Sequence, residues 1–237
     1  MCAGVLLLNS PTKQDLHTPT KAGLGWERIV TLWTWAHVPE AYDGARVVGL
    51  DRLTSAASDP TDHPALPIRI DVALRFDPLT AIMLVMVNFV ALLVAIYAAG
   101  YMRGDRGYSR FFAFVSLFVF SMNMLVTASN FLQLFVFWEA VGVCSYLLIG
   151  FWYQRPAAAA AGQKAFLVNR VGDFGFALAM FLIWLTYGTL DFHDSAAGSG
   201  VLGQARLAAG AYAGGGLGLS IGLLLMFGAC GKSAQWP

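Results

Sequence analysis

Between Phe111 and Gln154 this chain carries a single charged residue, Glu139, in an otherwise largely apolar tract. A surface helix of a soluble domain needs a polar face, and a tract of this length has none. It fits two successive membrane crossings, each of which takes about 20 apolar residues. The whole chain agrees: of its 237 residues 57% are hydrophobic and 12% charged, where soluble domains carry about 25% charged residues. Lipid offers no partner for backbone polar groups, so the helix, which satisfies its own, is the expected spanning element. The fold class expected is therefore an all-α polytopic membrane protein.

Polar punctuation divides the apolar sequence into about five transmembrane helices. Asp77-Pro78 opens the first, with Asp as N-cap and Pro at the first helical position, and it runs to about Tyr101. The second is expected over Phe111 to Ala128, and Ser129-Asn130 breaks the tract before a third over Phe131 to Tyr153. A fourth covers Gly162 to Tyr187, and a fifth runs from Gly214 to the chain end. Small residues at 214–218 and in Gly228-Ala229-Cys230-Gly231 permit close helix contact or local unwinding; with Pro237 just beyond, the fifth is a candidate discontinuous helix, a recurring device of transporters, or else an ordinary Gly-rich helix.

Before Asp77 the composition changes. Cys2 to Leu8 is apolar but far too short to span, with no basic region before it and no clear small-residue cleavage site after it, so residues 1–9 read as the tail of a truncated hydrophobic helix. Residues 10–76 read as an extramembrane segment, and 77–237 as a transmembrane domain. In the extramembrane segment Ile70, Val72, Leu74 and Phe76 alternate with Arg69, Asp71, Ala73 and Arg75, a period of two that predicts a half-buried strand. Ile29 to Val38, with Trp33 and Trp35 on one face, is its expected partner in a β-hairpin. Arg103, Arg106 and Arg110 share one loop, and Arg155 and Lys164 share the loop two crossings later. The positive-inside rule puts these loops in the cytoplasm and the N-terminal segment, periplasmic in a bacterium, on the other side.

Several function classes drop out. A net charge of +1 leaves no basic footprint for nucleic acid. Cys2, Cys144 and Cys230 are far apart and form no metal-ligand cluster, and all four histidines fall outside the long apolar runs. No metal and no redox cofactor is expected in this chain; its surroundings are lipid.

The charges inside the spans are the candidate site. Glu139 lies about 13 Å into the third span, counted from Asn130 at about 1.5 Å per residue, and an ionised group so deep costs about 3 kcal/mol even on lenient scales. It is either a proton carrier or an acid kept neutral by burial. The fourth span carries Arg170 and Asp173, three residues apart on one helix face, with Lys164 nearer the cytoplasmic end. They are either part of a relay or a self-neutralising structural pair. Lys232 ends the apolar run of the fifth span, as a relay member or as a lysine reaching for the interface. Charges of both signs on three helices favour the relay.

The chain also resembles a known family, the antiporter-like L subunit of proton-pumping NADH:quinone oxidoreductase (respiratory complex I), the bacterial counterpart of the mitochondrial fifth ND chain. The matching stretches are FDPLTAIM (76–83), YMRGDRGYSRFFAF (101–114), FWEAVGVCSYLLIGFWY (137–153), KAFLVNRVGDFGF (164–176) and GACGKSAQWP (228–237). The resemblance implies that Glu139 and Lys232 form a proton-transfer pair, that Arg170 and Asp173 modulate it with Lys164 near proton uptake, and that the chain is a piece of a longer subunit of the bacterial plasma membrane. It further implies that FMN, iron–sulfur clusters and quinone are handled by other membrane and peripheral subunits. The large subunit of multisubunit Na⁺/H⁺ antiporters shares the WE and GKSAQ-type motifs and is the alternative. Asn169 to Asp173 favours the respiratory enzyme.

Overall fold

The computed structural model describes residues 28–38, 68–192, 200–202, 216–233 and 235. Two strands, β1 (Arg28–Val38) and β2 (Ile68–Phe76), precede five helices: α1 (Pro78–Tyr101), α2 (Tyr108–Val126), α3 (Phe131–Ile149), α4 (Pro156–Tyr187) and α5 (Gly216–Lys232). The first four are long and apolar enough to cross a membrane, and α5 is a shorter apolar helix of 17 residues. The protein is a multi-pass membrane protein. Large side chains such as Ile82, Phe89, Leu93 and Ile96 of α1 point outward, as they do where the solvent is hydrocarbon rather than water.

Local chemistry sets the helix ends. Asp77 caps α1 by accepting the Thr80 N–H at 2.6 Å, and Asn130 caps α3 by accepting the Gln133 N–H at 2.7 Å; each such cap contributes about 1 kcal/mol. The boundaries of three helices differ from the sequence reading. α4 begins at Pro156 rather than Gly162, because Pro suits the first helical turn and the alanines that follow are the strongest helix formers. α3 stops at Ile149 with Gly150 as its C-cap rather than running to Tyr153. α2 runs from Tyr108 to Val126, and Ala128, expected inside it, bridges to Leu74 of β2 instead. Within its described residues α5 is unbroken through Gly228 and Gly231. Pro237, where an interruption was expected, lies outside the described residues, as does the helix tail expected at residues 1–9.

β1 and β2 pair antiparallel from Arg28↔Phe76 to Val38↔Ile68, with register shifts between Thr31 and Trp33 and between Thr34 and Ala36. The shifts leave an extra residue on β1 at each point, which bends and twists the ribbon. Trp33 and Trp35 are both exposed.

Two ends of the bundle are visible in the hydrogen bonds. At one, β2 is stitched to the α2–α3 turn: Arg75 N–H donates to the Thr127 carbonyl at 2.8 Å, the Asn130 amide donates to the Asp71 carbonyl at 2.7 Å, and Ala73 N–H donates to Gln133 Oε1 at 3.2 Å. The chain leaving α4 joins them, with Phe131 N–H donating to the Leu190 carbonyl at 2.9 Å. At the other end the two arginine-bearing loops meet. Arg110 donates to the Phe151 carbonyl and the Trp152 indole donates to Asp105, both at 3.2 Å. Between the ends, α1 is tied to α2 by a reciprocal amide pair, Asn88 and Asn123, at 3.0 and 3.1 Å.

Candidate functional site

α3 and α5 both pack on α4, and their approach explains where the charges meet. A Cβ on Gly231 would lie 2.9 Å from the Gly172 Cα, and one on Gly172 would lie 3.1 Å from the Gly231 Cα. No side chain fits between these backbones, so α5 lies directly against α4 at this level, in the manner of small-residue contacts between membrane helices. The neighbours of these glycines in sequence are Lys232 and Asp173. The close contact therefore brings an ammonium and a carboxylate from two helices to one depth.

Both arrive at Trp138, the residue before Glu139 on α3. The Trp138 indole N–H donates to Asp173 Oδ1 at 2.7 Å, and Lys232 Nζ donates to the Trp138 backbone carbonyl at 2.6 Å. The same ammonium lies 5.2 Å from the Trp138 ring centroid, within cation–π range. That carbonyl is reachable because Gly142, one turn further along α3, has no side chain: a Cβ there would be 3.0 Å from Lys232 Nζ. Phe176 stacks on the indole with centroids 5.7 Å apart and holds its plane.

Glu139 takes a different cation. Arg170 Nη1 forms an ion pair with Glu139 Oε2 across the α3–α4 interface, while the guanidinium lies 4.7 Å from the Phe166 ring centroid. Asp173 is the buried member at 3% exposure, and the Arg170 side chain is 46% exposed, so the ion pair lies at the rim of the cluster and Asp173 at its centre. No ion pair joins Arg170 to Asp173 among the described residues, because each has turned to α3 instead; their one-face spacing does not make them a self-neutralising pair. Glu139 also feels the charge of Asp173, and Lys232 feels those of Asp173, Glu139 and Arg170. Four of the five charges singled out in the sequence thus form one electrostatic cluster. Lys164 is exposed on the first half of α4, and no hydrogen bond or ion pair links it to the cluster among the described residues.

Comparison with known proteins shows the family. Residues 128–237 match the family model of the membrane domain of NADH:quinone oxidoreductase and Mrp antiporters, and residues 64–112 match that of the complex I chain 5 N-terminus. The chain belongs to this antiporter-like membrane family. It is 45% identical over 195 residues, 81% of its length, to an NADH-quinone oxidoreductase subunit L of Mycobacterium tuberculosis. It is 50% identical over 171 residues, 71% of its length, to a chloroplastic NAD(P)H-quinone oxidoreductase subunit 5 of Mesostigma viride. It spans 29% and 25% of those relatives' own lengths. Its fold resembles a chain of an Mrp complex from a Dietzia species, with a TM-score of 0.60 and 24% identity over 69% of this chain and 17% of that one.

For this family member the sequence reading missed Trp138, Gly142 and Gly172, and named Gly231 only as one of a stretch of small residues. An indole in an apolar helix is ordinary, and a glycine in a membrane helix has many uses, so neither signals a site. The adjacency of Trp138 to Glu139, and of Gly172 and Gly231 to Asp173 and Lys232, was the available clue.

Proposed function

We propose that this chain is the proton-translocating part of a bacterial NADH:quinone oxidoreductase subunit, located in the plasma membrane. Residues 10–76 are an extramembrane segment on the periplasmic side and 77–237 belong to the antiporter-like domain. Hydride and electron chemistry belongs to partner subunits carrying FMN and iron–sulfur clusters and reducing quinone. In this chain Glu139 carries the proton, Lys232 is a movable counter-charge, Arg170 and Asp173 modulate the pair, and Lys164 lies on the cytoplasmic route by which protons arrive.

The observation that carries this reading is the meeting of opposite charges from α3, α4 and α5 at Trp138 and Glu139. Proton affinity of a carboxylate depends on which cation stands beside it and how well it is solvated. Here one cation is in place and a second is hydrogen-bonded to the preceding residue, so a small movement of Lys232 changes what Glu139 experiences. A structural cluster would more economically place each charge against its opposite.

The test is Glu139→Gln in native membranes. It is expected to lower proton pumping at least about tenfold and, through coupling, to slow quinone-linked NADH oxidation, leaving assembly and NADH oxidation by artificial acceptors near normal. Lys232→Ala is expected to behave alike. Normal pumping ratio and rate in an assembled Glu139→Gln variant would make the acid structural. Sodium-driven proton movement without NADH would instead assign the chain to cation antiport.

A further inference from the structure

Four charged side chains of mixed sign within reach of one another have a simple low-energy solution. Lys232 would pair with Glu139, and Arg170 with Asp173 on its own helix face, since ion pairs outweigh bonds to neutral partners where the dielectric is low. The structure has a different arrangement. Glu139 is paired with Arg170, whereas Asp173 is bonded to a neutral indole and Lys232 to a neutral carbonyl. Both neutral partners belong to one residue.

We propose that Trp138 is the positioning residue of the cluster, holding Asp173 on its indole N–H and Lys232 on its backbone carbonyl so that neither collapses into a permanent ion pair. This deepens the proton-carrier reading and rests on it. Trp138 suits the role because both its ring and its carbonyl are held in place. Phe176 stacks on its ring at 5.7 Å and stacks also on Phe135, again at 5.7 Å, and the backbone of α3 fixes the carbonyl. Gly142 leaves the carbonyl open to the ammonium. The carbonyl that holds Lys232 belongs to the residue that precedes Glu139, so release of the lysine from it changes the charge close to Glu139. The hydrogen bond to Asp173 keeps the buried carboxylate satisfied while Lys232 moves, which lowers the penalty of separating the two charges.

The donor on the indole is tested by a double-mutant cycle in native membranes, read as proton-coupled turnover per assembled complex. Trp138→Phe keeps the ring on Phe176 and removes the N–H; it is expected to lower turnover about tenfold, the size of one hydrogen bond to a charged group. In the Asp173→Leu background, which has no acceptor for the indole N–H, the same change is expected to cost less than about twofold, because contacts that act together are not additive. Trp138→His, which restores an N–H at similar reach on a flat ring, is expected to recover most of the loss. Equal cost of Trp138→Phe in both backgrounds, or a His variant no better than the Phe variant, would overturn the proposal. If Asp173→Leu alone abolishes turnover, the His variant decides. If the Phe variant fails to accumulate, normal accumulation of the His variant supports the donor role and its failure too overturns it. Glu139→Gln, run in parallel, separates the two ideas: normal pumping there with a non-additive cycle removes the carrier and keeps the positioning role, and the reverse pattern does the opposite.

Discussion

The charged side chains of the cluster are interpretable only with their hydrogen-bond partners. Glu139 was visible in the sequence because a carboxylate in an apolar tract is costly and so needs a reason; the same logic marked Arg170, Asp173 and Lys232. Who pairs with whom was not visible, since partner choice depends on distances between helices. Outside the spans, Asp105 shows the same dependence in a form that pH can address. Its carboxyl is held below its ordinary 3.8, first by the Gly107 N–H, which donates at 2.6 Å, and then by the Trp152 indole, with slight burial opposing and Arg110 assisting. A pKa lowered on folding means order that is present above the unfolded value and lost as pH falls through the folded one. Hydrogen exchange of the 103–110 segment is therefore expected to be slower in wild type than in Asp105→Ala at pH near 6, and the two are expected to converge as the pH falls below 3.8 and through the lowered folded-state pKa. Equal exchange at pH 6 would show that these bonds do not order the loop.

At the scale of elements, existence and type were legible and ends less so. Uninterrupted apolar runs specify spanning helices because lipid penalises any other backbone, and the period of two around Val72 specified a strand. The early start of α4 followed from helix propensity in an alanine run that hydropathy alone does not weigh. Packing between elements was hidden, and the α4–α5 contact is the clearest case. Gly172 and Gly231 allow backbones to touch there, yet Gly218 and Gly222 of the same α5 meet nothing within 4 Å. Gly231→Ala is expected to push the helices apart at a cost of about 1 to 3 kcal/mol, read as a lower thermal midpoint in detergent, and to draw Lys232 from the Trp138 carbonyl with a loss of proton-coupled turnover. Gly218→Ala is expected to be neutral or slightly stabilising, since alanine is the better helix former. Similar behaviour of the two variants would refute the idea that the contact positions Lys232.

At the scale of the whole molecule, the loop bonds divide the structure into two ends, one holding β2, the α2–α3 turn and the exit of α4, the other holding Asp105, Arg110, Phe151 and Trp152. By the positive-inside rule the arginines of the second end predict a cytoplasmic location for it. In intact cells a membrane-impermeant thiol reagent is expected to label Thr34→Cys and to spare Ser109→Cys and Gln154→Cys until the membrane is opened; the reverse pattern would invert the topology. The sequence by itself determined the membrane as solvent, the helices as spanning elements, the sheet at one end and four of the charges that meet, because each follows from the cost of placing a group in hydrocarbon, which is a property of the residue and its near neighbours. Only the tertiary structure decided that Glu139 pairs with Arg170, that Asp173 and Lys232 both come to Trp138, and that Lys164 stays apart. Those outcomes turn on how closely α3, α4 and α5 approach, and that distance is set by glycines whose effect is the absence of a side chain, expressed only when another backbone arrives to use the space.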